Sequence, residues 1–521
     1  MSNWDLEVDV AVVGSGGGAL TGAYTAAAEG LTVAVLEKTD LFGGTSAYSG
    51  GGLFLPGNQA VTRAGVPDST ERARTYLNAL LGTQDEQRRE AFLTTAPGVV
   101  EFLERDPALR FEYYSFPDYF PVEGRLPGGG HIIPSPLDSA ELPAGLLEQI
   151  RPTISAERTG LAVPREILGG GQALIGRLLL ALHNTGRAEL RTGTTVRRLL
   201  VEDNRVIGLE AETDDGVLRV RARHGVLLAA GGFEGNASMR ASSGVPGSAD
   251  ASMAPPGVNL GEAMYAGVAV GAATDMLDQA WLCPALAQPD GSAAFFLGLR
   301  GGIFVDAGGE RFADESLPYD RMGRELAADP AHRVPCHFVF DSVEGGRLPA
   351  VNCVPGVRRA DYLSSGAWVQ ADTLTELAGL IDIPAAALAA TVERFNGFAE
   401  AGVDADFHRG EDEYDRYFAA ANGRVNPALV PLDTPPYYAA RVVLGDLGTK
   451  GGLVTDVDGR VLRHDGAPIA GLYAAGNTSA SVMRDRYPAP GSPIGTAMVF
   501  AFRAVQDIVR ADAVSPDAKV S

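Results

Sequence analysis

The chain has 521 residues, 45% of them hydrophobic, which is long enough to bury two cores and makes two domains the simplest arrangement. Its formal net charge of −22 disfavours polyanionic partners, so we expect it to bind neither nucleic acid nor anionic lipid. The three cysteines (Cys283, Cys336 and Cys353) form no C-x-x-C pair, which argues against a disulfide framework, an iron–sulfur cluster and haem attachment.

The N-terminus has neither the basic region nor the apolar core of a signal peptide, and a strand pattern begins almost at once. No apolar run approaches the roughly 18 residues that a transmembrane helix needs. We therefore expect a cytoplasmic protein without a transmembrane segment, with loose membrane association as the alternative.

The first structured stretch, residues 7–38, has the pattern of a βαβ unit. Alternating valines at 8–13 predict a strand, residues 14–19 a glycine-rich turn, residues 20–28 a helix of small residues, and residues 32–36 a second strand.

The turn of this unit fits the dinucleotide-binding pattern G-x-G-x-x-[GA] through Gly14, Gly16 and Ala19. The first glycine permits the tight turn, the second admits a pyrophosphate at the helix N-terminus, and the third small residue allows close helix packing. Glu37 follows at about the twenty-residue spacing of a ribose-binding carboxylate. A strained surface turn is the alternative. The predicted cofactor contacts here are Gly14, Ser15, Gly16, Gly17, Gly18, Ala19, Glu37 and Lys38.

The following loop, Lys38 to Gly52, favours FAD over NAD. Its glycines and small hydroxyl residues suit a backbone that lies against a large flat cofactor, whereas a flexible linker would seldom carry aromatics such as Phe42 and Tyr48. The segment resembles the second FAD-contacting loop of the succinate dehydrogenase/fumarate reductase flavoprotein superfamily. No histidine is present in it to form a covalent flavin bond, so we expect non-covalent FAD. Its predicted contacts are Gly43, Gly44, Thr45 and Ser46.

Further along, residues 86–103 predict a helix, and residues 111–120 are rich in aromatics broken by prolines. This aromatic stretch is either a satellite core or the apolar wall of a site. Short strands then turn at residues 203–204 and 214–216 and lead into an apolar strand that ends in small residues near Gly231.

From residue 278 to 448 the pattern becomes mixed, and we interpret it as an inserted domain. It contains a predicted hairpin over residues 302–312 and an acidic stretch over residues 404–415, which favours a solvated face over a metal site because its carboxylates match no EF-hand spacing. A strand over residues 469–477 and a final helix from about Thr496 then resume the first domain.

The fold class is therefore α/β, with a Rossmann-like (glutathione reductase-type) FAD-binding domain at 1–277 and 449–521 and an α+β catalytic domain at 278–448. Further FAD contacts are expected at Val196, Ala230, Gly231, Gly476, Asn477 and Ile494.

Candidate chemistry centres on tyrosines. The seven histidines are scattered without a metal-binding or Ser-His-Asp pattern, so we interpret them as structural or exposed and predict no metal. Tyr119, Tyr319 and Tyr487 lie near predicted loops, although each could equally be a core residue.

Along nearly its whole length the chain resembles the bacterial 3-ketosteroid Δ1-dehydrogenases. The motifs that carry the resemblance are G-S-G-G-G-A-L-T-G-A-Y-T-A-A-A at 14–28, F-G-G-T-S-A-Y-S-G at 42–50, F-P-D-Y-F at 116–120, D-Q-A-W at 278–281, E-S-L-P-Y-D at 315–320, F-H-R-G-E-D at 407–412, L-G-T-K-G-G at 447–452, A-A-G-N-T-S-A-S at 474–481 and Y-P-A-P-G at 487–491.

The resemblance implies an FAD-dependent 3-oxosteroid 1-dehydrogenase of steroid degradation, in which C1 of ring A loses a hydride to FAD and C2 loses a proton to the enzyme. It assigns the C3 carbonyl donors to the Tyr487 hydroxyl and the Gly491 N–H, the base to Tyr319, and a helper for that base to Tyr119. It also implies a 3-ketosteroid substrate and an external electron acceptor, a quinone at the family level.

Two alternatives stay open. A 3-ketosteroid Δ4-(5α)-dehydrogenase has similar tyrosine chemistry but a C-terminal motif different from Y-P-A-P-G. A flavin electron-transfer module without a substrate is disfavoured by the large insertion, since a carrier needs no substrate cavity. Arg484 and Arg486 imitate a dicarboxylate clamp, but no histidine accompanies them, and a solvated loop edge is the better interpretation.

Overall fold

The computed structural model describes residues 4–419 and 421–514, so the outer ends of the predicted FAD domain, 1–3 and 515–521, lie outside the described residues. Within the described residues the strands are β1 Leu6–Val13, β2 Val33–Leu36, β3 Phe111–Tyr113, β4 Ile132–Pro134, β5 Leu137–Asp138, β6 Ile167–Leu168, β7 Ala188–Arg191, β8 Thr195–Glu202, β9 Arg205–Thr213, β10 Gly216–Leu228, β11 Thr274–Asp275, β12 Ala280–Ala287, β13 Ala293–Leu297, β14 Ile303–Val305, β15 Cys336–Phe340, β16 Val351–Asn352, β17 Trp368–Ala371, β18 Tyr437–Thr449, β19 Gly452–Leu453, β20 Arg460–Leu462 and β21 Pro468–Ala474.

In the same part of the chain the α-helices are α1 Gly17–Ala28, α2 Gly44–Tyr48, α3 Gln59–Arg63, α4 Thr70–Leu81, α5 Glu86–Leu103, α6 Leu146–Gln149, α7 Ile154–Thr159, α8 Gly170–Asn184, α9 Ala237–Ser243, α10 Glu262–Ala269, α11 Tyr319–Ala328, α12 Pro330–Arg333, α13 Arg359–Ser365, α14 Leu374–Leu380, α15 Ala385–Ala401, α16 Glu413–Tyr417 and α17 Ser492–Val514. Short 3₁₀ helices occur at Ser139–Glu141, Ala249–Ala251 and Gly476–Thr478.

The first sheet contains the predicted βαβ unit at its centre. Strands β7, β2, β1, β10 and β21 run parallel in that order. Strands β8 and β9 form an antiparallel meander into β10. Helices α1 and α17 pack on this sheet, and α8 packs on α1. Central valines of the sheet such as Val10 and Val12 are fully buried. The architecture confirms the predicted α/β class.

The second sheet is antiparallel, in the order β14-β15-β18-β12-β13-β16, with β17 paired to β18. Its strands come from residues 280–449. Helices α14 and α15 cover a core of Ile303, Val339 and Leu388 on this sheet. The insertion therefore contributes a sheet of its own, and the boundaries at 278 and 448 stay a prediction.

The hairpin predicted over residues 302–312 is wrong. Strand β14 pairs with β15, Ile303 opposite Val339, and not with the residues that follow it. The Asp306 side chain accepts hydrogen bonds from the N–H groups of Gly308 and Glu310, which turns the chain away from the strand direction. Strand β14 therefore pairs with a strand that is distant in sequence and not with the residues that immediately follow it.

The prediction that residues 404–415 form a solvated face is wrong for its two ends. Asp404 is fully buried and pairs with Arg311 at 2.8 Å, while the buried Asp415 accepts a hydrogen bond from the Gly410 N–H. The buried Arg409 pairs with Glu315 at 3.0 Å. Buried carboxylates require such partners because the desolvation of an unpaired charge is costly.

Among the described residues, no helix combines the length and the apolar character needed to cross a bilayer. The same residues contain no group of histidine, cysteine and carboxylate side chains arranged to hold a metal ion.

Candidate active site

A cavity of about 660 Å³ lies between the glycine turn after β1 and strand β13 of the second sheet. One end is lined by the backbone of residues 14–18, and the other by Tyr119, Tyr319 and Tyr487. The volume falls in the range of cofactor and substrate pockets, which span about 300–1,000 Å³.

The cofactor end depends on the conformation of Gly14. Its φ of +102° lies in the region that favours glycine, and a Cβ there would approach the Ala229 carbonyl oxygen to 2.4 Å. The turn therefore presses against the chain just after β10, and the Gly17 N–H at the start of α1 donates to Ser46 Oγ at 3.1 Å. Buried Ser15 connects the two cofactor loops, because its hydroxyl donates to Glu37 Oε2 at 2.5 Å and accepts from the Gly43 N–H at 2.9 Å.

Most of the predicted cofactor residues line this cavity. They are Gly14, Ser15, Gly16, Gly17, Gly18, Glu37, Lys38, Gly44, Thr45, Ser46, Val196, Ala230, Gly231, Gly476, Asn477 and Ile494. Ala19 and Gly43 lie behind the cavity wall instead. Ala19 is buried in the first turn of α1, and the Cα of Gly43 faces Ala47 and Ile175, so any part that these two play in cofactor binding is indirect.

Sequence reasoning missed the polar residues on the opposite side of the cofactor end. Asn259 has a φ of +56° and donates through Nδ2 to Glu234 Oε1 at 2.6 Å and to Thr45 Oγ1 at 3.1 Å. Glu234 is buried, and burial raises the pKa of its carboxyl. No sequence motif marks this pair, because the two residues are separated by 25 positions and meet only in the folded chain.

Three separate segments bring the predicted tyrosines together. Tyr319 is the first residue of α11. The Tyr119 N–H donates to the Pro488 carbonyl at 2.9 Å, which fixes the aromatic segment against the loop that follows Tyr487. Each pair among the three rings has a centroid separation of 5.3 or 5.4 Å and an edge-to-face arrangement.

The hydroxyl groups of the three tyrosines converge on one point. The Tyr119 hydroxyl donates to the Tyr319 hydroxyl at 2.7 Å, and the Tyr319 hydroxyl lies close enough to Tyr487 to influence the pKa of that residue. The three residues are only 1%, 8% and 3% exposed in the order Tyr119, Tyr319, Tyr487. They are therefore a hydrogen-bonded group at a cavity wall and not separate core residues.

Burial is the main influence on the acidity of this group. It raises the pKa of Tyr319 well above the usual value for a phenol, as does the nearby Tyr487, whereas the hydrogen bond from Tyr119 lowers it. Burial also raises the pKa of Tyr487, while the bonds from the Tyr319 hydroxyl and the Gly491 N–H lower it. The Gly491 N–H and the Tyr487 hydroxyl are therefore neighbours.

Gly491 holds its N–H in place through an unusual backbone. Its φ is +80°, and a Cβ would lie 2.3 Å from the carbonyl carbon and oxygen of Gly52. The Gly491 carbonyl accepts from the N–H groups of Phe54 and Gly495, so the turn is bonded both to the second cofactor loop and to the start of α17.

The remainder of the tyrosine end is apolar. Its lining includes Met253, Phe295, Leu297, Val351 and Leu447. The aromatic stretch supplies Tyr114 and Phe116 as well, so of the two interpretations the site wall is the one observed.

His131 also lines the cavity, which the interpretation of the histidines as structural or exposed missed. It is 3% exposed, and burial lowers the pKa of its imidazole to about 4, so the ring is neutral at physiological pH.

Arg484 and Arg486, whose sequence pattern is similar to a carboxylate clamp, make other contacts in the structure. Arg484 pairs with Asp275 at 2.7 Å, and Arg486, whose side chain is 42% exposed, lies beside Asp485. This geometry gives no support to a dicarboxylate site.

Comparison with known proteins decides the family. The FAD binding domain family matches residues 9–494. The 3-oxosteroid 1-dehydrogenase of Rhodococcus opacus is 44% identical, and the alignment covers 98% of this chain and 100% of the relative. The chain belongs to the 3-ketosteroid Δ1-dehydrogenase family. The predicted resemblance is thereby confirmed.

A solved 3-ketosteroid Δ1-dehydrogenase, that of Sterolibacterium denitrificans in complex with 1,4-androstadiene-3,17-dione, superimposes with a TM-score of 0.89. It is 34% identical, with 97% of this chain and 100% of that chain covered. The 3-ketosteroid Δ4-(5α)-dehydrogenase of Rhodococcus jostii RHA1 is more distant, with a TM-score of 0.65, 24% identity and 98% of each chain covered, and shows the common fold only.

Membership of this family makes FAD the cofactor, and the chain has the features to hold it. Residues 14–18 line the cavity where a pyrophosphate would approach, and Ser15 is hydrogen-bonded to Glu37 beside them. The predicted Rossmann-like FAD-binding fold with an insertion is therefore confirmed.

Proposed function

We propose that the protein oxidises ring A of 3-ketosteroids by introducing the C1–C2 double bond. One observation carries the proposal. Three tyrosine hydroxyls and the Gly491 N–H converge at the apolar end of a cavity whose other end is the cofactor turn.

The first requirement is to acidify the C2–H bond. A C–H beside a ketone is too weak an acid at neutral pH unless the developing enolate oxygen is stabilised. We assign that stabilisation to the Tyr487 hydroxyl and the Gly491 N–H, which are adjacent and held by the backbone. The surrounding apolar wall excludes water, and fixed donors in a dry site are worth more than donors in water.

Tyr319 then accepts the C2 proton on its phenolate oxygen. Burial disfavours that phenolate, and the hydrogen bond from Tyr119 opposes the effect by stabilising the charged form. We therefore assign Tyr319 as the base and Tyr119 as the residue that raises the population of its active form. Tyr319 comes from the inserted segment, so it reaches ring A from the side opposite the cofactor loops.

When bound, FAD supplies the acceptor for the C1 hydride. The cavity residues around the Gly14 turn would hold its pyrophosphate and ribose, and the loop at 43–46 its ring system. Ile494, in the first turn of α17, places the positive end of that helix dipole toward the cavity. We propose that FAD is held without a covalent bond, since residues 38–52 contain no histidine.

We further propose that residues 278–448 form the catalytic domain, that the location is cytoplasmic and that the electron acceptor is a quinone. Three free thiols support a reducing compartment. The absence of a second G-x-G-x-x-G after a strand in the sequence speaks against NADH.

The decisive experiment is anaerobic. A 4-en-3-one steroid, already unsaturated at C4–C5, should bleach the flavin absorbance of the purified protein and yield a 1,4-dien-3-one that is two hydrogens lighter. Only 1-dehydrogenation can act on such a substrate. If a 5α-saturated 3-ketosteroid alone bleached the flavin and gave a 4-en-3-one, the activity would be that of a Δ4-(5α)-dehydrogenase. If neither steroid bleached it, the proposal would be wrong.

A further inference from the structure

Lys450 is a buried lysine in a chain that rarely uses lysine. The sequence contains only three lysines, Lys38, Lys450 and Lys519, and uses arginine for the rest of its basic residues. Lys38 pairs with Glu262 at the edge of the cofactor end. Lys450, in contrast, is fully buried. Burying an ammonium group costs free energy unless hydrogen bonds or other charges stabilise it.

The backbone of Lys450 joins two segments of the site. Its N–H donates to the Gln279 carbonyl at 2.8 Å, at the start of the inserted sheet, and its carbonyl accepts from the Ser481 N–H at 3.0 Å, in the loop that leads to Tyr487. These two bonds place Lys450 between the start of the inserted sheet and the loop that leads to Tyr487.

Two contacts of the ammonium point to Tyr487. Nζ donates to the carbonyl of Arg486, the residue immediately before Tyr487, at 2.8 Å. Nζ also lies 4.1 Å from the ring centroid of Trp281, which is a cation–π distance. The Trp281 ring in turn packs edge-to-face on the Tyr487 ring at 4.9 Å.

Trp281 extends this chain of contacts to the cofactor end. Its Nε1 donates to Asn477 Oδ1 at 3.1 Å, and Asn477 lines the cavity. The Lys450 ammonium is thus hydrogen-bonded to the backbone of the residue before Tyr487. Through the Trp281 ring it is also connected to Tyr487 and to Asn477.

We propose that Lys450 is a positioning residue for the oxidation of ring A, which fixes the Tyr487 hydroxyl through Arg486 and Trp281 and places a positive charge behind the enolate oxygen. The inference rests on the proposed function. Charge that develops on an enolate interacts more strongly with a fixed cation in a dry site than with one in water. Lysine suits the position better than arginine, because a compact ammonium can serve one carbonyl and one ring face at once.

The groups around Lys450 shift the pKa of its ammonium in both directions. Burial lowers the pKa of its ammonium to about 7; Asp320 and Asp485 favour the charged form, and Arg324 and Arg486 disfavour it. In the free enzyme the positive charge of Lys450 is therefore lost progressively as the pH rises through about 7.

The test uses the FAD-loaded protein and two uncharged variants. Lys450→Met keeps the approximate length of the side chain but has neither a hydrogen-bond donor nor a charge. Lys450→Gln keeps a donor for the Arg486 carbonyl but has no charge. Lys450→Arg keeps the charge. Arg88→Met is the matched control, because Arg88 is also a buried cation that donates to a carbonyl of the same loop, that of Ala480 at 2.8 Å. Its other contacts are Asp85 and the ring of Phe500.

The first readout is steady-state turnover of a 3-ketosteroid. We expect kcat to fall by about 10- to 100-fold in Lys450→Met with KM changed by less than about 3-fold, since the lost interaction belongs to the transition state. Lys450→Arg, which keeps the charge but not the compact ammonium, should recover part of that loss. The control should lower the melting temperature and leave kcat unchanged.

The second readout does not depend on turnover. A steroid whose ring A is a phenol mimics the enolate when it is bound as the phenolate, and its ultraviolet spectrum reports the bound phenolate fraction. This fraction should fall in Lys450→Met and Lys450→Gln, while the affinity for a neutral ketosteroid persists.

If Lys450→Met does not fold, the same outcomes apply to Lys450→Gln. An unchanged phenolate fraction, or a parallel loss of ketone and phenol binding, would overturn the inference. Failure of the wild-type protein to oxidise any ketosteroid would instead refute the proposed function.

Discussion

Replacement of Tyr319 by phenylalanine is the sharpest test of the proton step. The substitution removes one oxygen atom and leaves the ring, which packs against Phe295 at 4.8 Å and Tyr487 at 5.3 Å. Since the hydroxyl is the proposed base, the rate of flavin bleaching by a ketosteroid should fall by about 10²–10⁴ or more. FAD content and steroid affinity should largely persist, because the substitution leaves the Tyr487 hydroxyl, the Gly491 N–H and the cofactor turn in the protein.

The structure also sets the cost in stability. The Tyr119 hydroxyl, 1% exposed, donates to Tyr319 at 2.7 Å and would lose this acceptor. A buried polar group left unpaired costs about 1–3 kcal/mol. The free energy of unfolding should therefore fall by an amount in that range, which is far too small to explain the loss of rate through unfolding.

The assay combines anaerobic single-turnover bleaching with exchange of the C2 proton for solvent deuterium, followed by NMR. If the wild type shows exchange without hydride transfer, it should vanish in Tyr319→Phe. Tyr414→Phe is the control, because Tyr414 is a buried tyrosine of the same cluster that packs on Tyr119 at 5.5 Å and should change the rate little. Exchange that survives in Tyr319→Phe, or a rate within about tenfold of the wild type, would identify another residue as the base.

The remaining predictions concern the helper, the donors and the cofactor. The hydrogen bond from Tyr119 lowers the pKa of Tyr319, so Tyr119→Phe should raise the pKa of Tyr319. The pH at which kcat increases should then be higher, and a pH–kcat profile measures this shift. An unshifted profile would contradict the helper role of Tyr119. Tyr487→Phe removes one enolate donor and should reduce kcat by about 10²–10³, and unchanged kinetics would remove Tyr487 from the site. Gly491→Ala would force a Cβ to 2.3 Å from the Gly52 backbone at positive φ, so both activity and melting temperature should fall; a fully active variant would show that this geometry is dispensable. Gly16→Val should abolish FAD retention by obstructing the pyrophosphate, whereas acid precipitation of the wild type should release FAD intact; flavin that stays attached would indicate a covalent bond.

Local patterns were sufficient for much of the fold. The glycine turn at 14–19 and the helix at Glu86–Leu103 were predicted from residue types that act within a few positions of one another. The same holds for the turns at 203–204 and 214–216, which connect β8, β9 and β10 as neighbours in sequence. Short-range sterics and periodicity determine such elements without knowledge of the remainder of the chain.

Only the tertiary structure decided which distant residues meet. The hairpin prediction failed because β14 found its partner in β15, and Asp404 is buried because Arg311, 93 positions away, supplies its counter-charge. Tyr119 and Tyr319, 200 positions apart, share a hydrogen bond that no local pattern encodes, and their roles could be named only through resemblance to a family. In the sequence Lys450 appears only as one residue of the L-G-T-K-G-G motif. Its burial beside Trp281, which packs on Tyr487, emerges only in the folded chain, and the effect of a charge depends on the dielectric and the partners that folding brings around it.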